Sequence, residues 1–184
     1  MRTFTDIDIP ARLAARPRDA RGYPIPYAVL QPEGGPPDFR ITDVNAWSQA
    51  VRLRLCALCG VPLGRHLAFV GGPLTYQNRY FTDLPMHRDC AVYALKVCPF
   101  LAAPNYRYAE SLRTAPEGHV LAVSEAVRTV RPDYFFMGMT LGYRLVRSGD
   151  GTLLVRADPW REVEWWRYGN VLAERPAAAD ADVR

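Results

Sequence analysis

The sequence predicts a single-domain α+β fold, and three observations carry that prediction. About half of the 184 residues are apolar (49%), enough to bury a sizeable core. Apolar residues recur at helical spacing in one stretch and fall into short extended runs between turn-formers in others. Two pairs of metal-type ligands, at identical internal spacing, flank a stretch that reads as a β-hairpin. There is no internal repeat.

Residues 1–43 are dense in turn-formers, with Pro10, Pro17, Pro24, Pro26, Pro32, Gly34, Gly35, Pro36 and Pro37 interrupting short extended pieces such as residues 25–30. This segment is expected to pack over the rest of the chain. Asp43 can cap a helix over 44–55, where Val44, Trp47, Val51 and Leu55 recur at helical spacing and predict a buried face. Residues 56–64, CALCGVPLG, form a tight turn. The run HLAFVGGPLTYQNRYF then reads as two strands around Gly71-Gly72-Pro73, a β-hairpin with its tip at Tyr76, Asn78, Arg79 and Tyr80. A helix follows, with Pro85 near its first position and residues 86–97 continuing to Cys98-Pro99.

Together, residues 44–101 make the expected core and 102–172 the C-terminal part of the same domain. A short helix is expected around 117–130. Residues 134–146 and 152–155 flank Ser148-Gly149-Asp150-Gly151, a good hairpin turn because glycine and Asp tolerate positive φ. Asp158-Pro159 can open a terminal helix over 160–168, and residues 173–184 read as a flexible tail.

Cys56, Cys59, His87 and Cys90 carry the strongest chemical signal. A C-x2-C turn folds back so that two thiolates reach one tetrahedral ion, and Gly60 lets the backbone of the turn approach the sulfurs. His87 and Cys90 stand at i and i+3 where the second helix begins, so they face one side. Helix N-terminal amides also favour the charge of −1 left by three thiolates and a neutral histidine around Zn2+. One structural zinc per chain is the expectation, closed because protein fills all four places. Cys98 is excluded, since helical rise puts it roughly 12 Å from Cys90 along the axis. Its expected role is that of a small buried apolar residue.

The string CALCG…PMHRDCAVYAL…CPF resembles treble-clef zinc fingers over about 45 residues. That resemblance implies a small zinc-stabilised knuckle, β-hairpin and helix, embedded in a domain with a second C-terminal hairpin and a terminal helix. GYPIPY, PDFR, FVGGPL, MHRDCA, CPFL and VEWWR are similar to segments of uncharacterised proteins of bacteriophages and of actinobacterial or proteobacterial genomes, which imply no activity. One enzymatic treble-clef group, the HNH nucleases, would require a general-base histidine and a further metal ligand. His66 and Asn78 are the candidates on the hairpin, but the family's paired ligands before the turn are missing and the helix offers no second ligand.

Charge narrows the function classes. The formal net charge is +4, and counting gives eight basic and six acidic residues over 1–55, four and two over 56–101, and eleven of each over 102–184. Such a thin, dispersed excess argues against a strongly electrostatic nucleic-acid binder. Lys96 is the one lysine among 23 basic residues, which fits the codon bias of a GC-rich genome. No apolar run approaches the roughly 18 residues of a membrane span, and the N-terminal residues do not form a secretory signal. A cytoplasmic location is expected, where four cysteines point to metal rather than disulfides. No small-molecule substrate is evident. The sequence therefore favours a noncatalytic zinc-binding adaptor with a protein partner. Its candidate contact surfaces are Tyr76, Asn78, Arg79 and Tyr80, and Trp165 with Trp166, although core packing is the commoner fate of adjacent tryptophans. Nucleic-acid binding through the hairpin tip, helped by Arg65 and Arg88, is the alternative, and an HNH-like nuclease is the third reading.

Overall fold

The computed structural model describes residues 7–104 and 131–177; the helix expected at 117–130 lies outside them. The chain is a mixed α and β protein with small sheets and short helices. In order it forms α1 (Ala11–Ala14), β1 (Val29–Leu30), β2 (Asp38–Thr42), α2 (Val44–Leu53), β3 (Leu67–Gly71), α3 (Pro73–Asn78), β4 (Tyr80–Phe81), α4 (Arg88–Val97), α5 (Pro99–Ala102), β5 (Phe135–Thr140), β6 (Tyr143–Arg147), β7 (Leu153–Ala157), β8 (Glu162–Arg167) and β9 (Asn170–Val171).

Among the described residues the strands make three antiparallel sheets, ordered β1-β2, β3-β5-β8-β9 and β4-β7-β6. All six residues of β5 are buried, because it lies inside the four-stranded sheet with both faces covered. Alternation along the strand sends side chains to opposite sides. Phe135, Met137 and Met139 join a core with Ala68, Trp166 and the α4 residues Ala91, Tyr93, Leu95 and Val97. Phe136 joins a second core with Leu67, Phe69, Phe81, Val155, Ala157 and Trp165. The central sheet thus has α4 on one face and the three-stranded sheet on the other.

Several expectations are corrected. The hairpin around Gly71-Gly72-Pro73 does not form. Pro73 opens α3 with Gly72 as N-cap, since a fixed φ and a missing N–H suit a first helical position and not a ladder. Thr75 Oγ1 donates to Gly72 O at 2.9 Å, and β3 and β4 go to different sheets, pairing with β5 and β7.

The terminal helix is the strand β8, paired with β5 over five residues from Phe135↔Trp166 to Met139↔Glu162. Val163, Trp165 and Trp166 suit a pleated surface packed on both faces. The second hairpin keeps its turn, with Gly151 at φ 86 and Ser148 N donating to Thr152 O at 2.9 Å. Its strands are β6 and β7, since the chain leaves the central sheet at Leu141-Gly142.

Helix α2 has the expected cap: Asp43 Oδ1 accepts from Asn45 N at 2.8 Å and Ala46 N at 3.0 Å. It stops at Leu53 because Arg54 turns left-handed at φ 52. Its apolar face is shallower than expected. Ala50 is buried and Trp47 and Val51 are half-buried, but Val44 is 53% exposed. Helix α4 likewise begins later than expected, at Arg88, because Met86 is held in a two-way backbone bridge with Ala68.

Candidate metal centre

The cysteine turn is a narrow backbone loop closed at its neck. Leu55 bridges Pro62, Leu63 N donates to Arg54 O at 2.7 Å, and Cys56 N to Val61 O at 2.9 Å. Inside it Gly60 N donates to Cys56 O at 2.9 Å, which requires the positive φ of 73° that glycine tolerates. The N-terminal segment covers this loop, with Tyr27 N donating to Leu58 O and Ala28 N to Ala57 O. The Tyr27 ring lies so close to Gly60 that a Cβ there would stand 2.5 Å from it.

His87 is the N-cap of α4, and Cys90 sits in the first turn. The same bridge to Ala68 that delays the helix anchors this end of α4 to β3. Ligand atoms from Cys56, Cys59, His87 and Cys90 all lie within 4.8 Å of one another, and the three cysteines are buried. Cys59 Sγ is 3.4 Å from His87 Nδ1, close to the ~3.6 Å between a sulfur and a nitrogen on one tetrahedral zinc. The other imidazole nitrogen, Nε2, is 3.2 Å from Pro62 O. A proton on Nε2 shared with that carbonyl leaves Nδ1 as the lone-pair donor, the outer-shell orientation typical of metal-bound histidine.

The thiols are electrostatically interlocked. Hydrogen bonding from Cys59 and then Cys90, with backbone amides of Cys59 and His87 also aimed at it, pulls Cys56 far below the usual thiol range. The hydrogen bond with Cys56 pushes Cys59 up, and hydrogen bonds with Cys56 and Cys59, together with burial, push Cys90 up as well. Like charges so close together oppose one another's ionisation. A bound dication removes that limit and allows all three to ionise. The donor set therefore fits a metal ion and is consistent with zinc.

Cys98 stands apart, at the C-terminal end of α4. It is half-buried rather than buried, and loss of water around it raises its thiol above the ordinary range.

The other candidate residues divide by burial: Tyr76, Asn78, Arg79 and Tyr80 are half-buried along α3 and β4, whereas Trp165 and Trp166 are buried. Tyr76 packs its ring on Phe136 and Trp165 and accepts from Trp160 Nε1 through its carbonyl at 3.0 Å. Asn78 Oδ1 accepts from Tyr80 N at 2.8 Å. Arg79 takes the left-handed cap of α3, and Tyr80 lies under the Arg156 guanidinium. Trp165 and Trp166 are each 5% exposed, one in each core. His66 precedes β3 whereas Asn78 lies beyond its end. Among the described residues, Cys56, Cys59, His87 and Cys90 are the one group of three or more ligating side chains placed to hold an ion.

Sequence reasoning missed what fixes the ligands: the Pro62 carbonyl, the Tyr27 ring and the Ala68–Met86 bridge. No helix among the described residues is long and apolar enough to cross a membrane. No protein-family model matches the chain, and neither a curated protein nor a solved structure matches it.

Proposed function

We propose that the chain is a noncatalytic interaction protein whose fold is stapled by one structural zinc ion on Cys56, Cys59, His87 and Cys90, and that its partner is another protein. The observation that carries this reading is the convergence of four ligand atoms within 4.8 Å, with the remaining histidine nitrogen already committed to a backbone carbonyl. Four protein ligands leave no coordination position for water or substrate, the hallmark of a structural site. A knuckle followed by ligands at a helix N-terminus is also what treble-clef fingers use. Here the intervening segment is strand, helix and strand, so the likeness rests on the two ends of that motif.

Elemental analysis of the purified chain should find one zinc per molecule. Cys56→Ser and Cys90→Ser should each lose the metal together with cooperative unfolding, because binding free energy at such sites is largely folding free energy. Full zinc content in either variant would overturn the staple. For the interaction role, cross-linking of the zinc-loaded chain in its native cell should give a defined protein adduct that Cys90→Ser abolishes. Turnover of a substrate by the zinc-loaded chain would refute the noncatalytic reading.

A further inference from the structure

One end of the central sheet carries a second, chemically distinct site. Because β3, β5 and β8 are antiparallel neighbours, the start of β3, the end of β5 and the start of β8 meet there, with Leu67 opposite Thr140 and Met139 opposite Glu162. Three connecting segments project from that end, and between them lies a cleft of about 450 Å3 lined by Arg65, His66, Thr140, Arg161 and Glu162 among others. A second lobe of about 320 Å3, lined by Asp158, Pro159 and Trp160, shares Thr140, Leu141 and Arg161 with the first. The volumes fall in the range of small-molecule sites, about 300–1,000 Å3.

The charges in the first lobe are unbalanced. Glu162 is its one carboxylate, and Arg88, which also pairs with Glu164, stands 3.7 Å from it. Neither Arg65 nor Arg161 has a carboxylate partner among the described residues. Both side chains are exposed, so two guanidinium groups line one lobe whose single carboxylate, Glu162, pairs with Arg88 instead. At the cleft wall Thr140 is 1% exposed, yet its hydroxyl has two long contacts only, 3.4 Å each, to Gly142 O and Pro159 O. A buried hydroxyl so weakly held is free to turn toward a ligand oxygen. The backbone is firm, with Arg161 N donating to Met139 O at 2.8 Å and Asp158 N to Gly142 O at 3.0 Å.

The second lobe differs in kind. Trp160, Pro159 and Leu141 line it with apolar surface, the partly exposed Trp160 ring also packing inward on Phe69, Phe81 and Phe136, and the Asp158 carboxylate supplies an acceptor. Trp160 is held in place by Nε1 to Tyr76 O and by close packing against Gly138.

We infer that this two-lobed cleft binds a nucleoside phosphate, either free or as the phosphorylated end of a single strand. Arg65, Arg161 and the Thr140 hydroxyl take the phosphate, and Trp160, Pro159 and Asp158 take the base. Guanidinium groups answer phosphate through charge-assisted hydrogen bonds, and a tryptophan wall suits a stacked base. The site is independent of the zinc reading, since none of its residues is Cys56, Cys59, His87 or Cys90.

The test titrates the zinc-loaded full chain with adenosine monophosphate, adenosine, inorganic phosphate and a short 5′-phosphorylated single strand, following backbone amide shifts and heat. Adenosine monophosphate should shift the amides of Thr140, Leu141 and Arg161. Adenosine and inorganic phosphate should each bind about tenfold more weakly or worse. The double variant Arg65→Gln with Arg161→Gln should lower the affinity about tenfold with unchanged zinc content, because both side chains are exposed. If the single strand binds more tightly than the mononucleotide and competes with it, the ligand is a strand end; the reverse order identifies a free nucleotide. No shift at those amides with any phosphorylated probe at millimolar concentration would overturn the inference. So would wild-type affinity in the double variant, or equal affinity for inorganic phosphate and the mononucleotide.

Discussion

Gly60 is where conformation and packing bear on a single atom, since it combines a φ of 73° with a tyrosine ring occupying the place of a side chain. Gly60→Ala should therefore destabilise the zinc-loaded protein by about 1–3 kcal/mol. Urea unfolding reads this directly, and an unchanged midpoint would show that the loop relaxes freely. His87 gives a complementary test. His87→Cys should keep one zinc per chain, whereas His87→Ala should lower zinc affinity at least about tenfold by removing a ligand and its link to Pro62 O. Competition with a metal indicator distinguishes the two. The clustering of the four candidate ligands was legible because each pair is local, three residues apart, and spacing alone places both members on one side. Tyr27, Pro62 and Ala68 reach the site from distant parts of the chain, and nothing in the local pattern marks them.

Elements were legible where capping chemistry is explicit and illegible where tertiary context decides. Asp43 announced α2, and Ser148-Gly149-Asp150-Gly151 announced the β6–β7 turn, because side chain and backbone settle those matters locally. The Ser148 hydroxyl, followed by the Thr152 amide, holds the Asp150 carboxyl below its ordinary value. A lowered carboxyl stabilises the turn above the unfolded value, about 3.9, and that contribution disappears as pH falls through the lower folded value. The Thr152 amide shift should accordingly titrate with a midpoint below 3.9 as an approximate bound, and Asp150→Asn should abolish the titration. Residues 160–168 misled for the opposite reason. Asp-Pro is a good helix start, but two covered faces on either side of one strand accommodate adjacent tryptophans better than one helix face can. Trp165→Ala and Trp166→Ala should each cost about 3–5 kcal/mol, and acrylamide should quench neither residue appreciably in the native protein. A loss below about 1 kcal/mol for either would contradict its place in the core.

At the scale of the molecule, the candidate metal centre belongs to the core on the α4 side of the central sheet, while the second core lies across β5 from it. On the proposed zinc staple, removing the ion should undermine the first core directly and the second through the shared strand. A strong chelator at neutral pH should lower the midpoint of thermal unfolding, and near-ultraviolet signals from Trp166 should weaken before those from Trp165. Simultaneous loss of both would make the sheet one cooperative unit. Acid should act like the chelator. In the proposed zinc site, bound thiolates would ionise far below the unfolded thiol value of about 8.5, so the stabilisation should be complete at and above neutrality and be lost as protons displace the ion at lower pH. Zinc release on acidification should coincide with unfolding, and metal retained at a pH where the fold is gone would break the linkage.

The β6–β7 hairpin leaves the central sheet at Leu141-Gly142 and returns at Asp158, where Asp158 N meets Gly142 O at 3.0 Å. Departure and return are thus one hydrogen bond apart, while the β7 strand between them supplies Val155 and Ala157 to the second core. Its turn lies at the far end of two five-residue strands, so it is the natural port for a grafted peptide or reporter. A cargo placed between Gly149 and Asp150 would ride on a rigid stalk without entering either core.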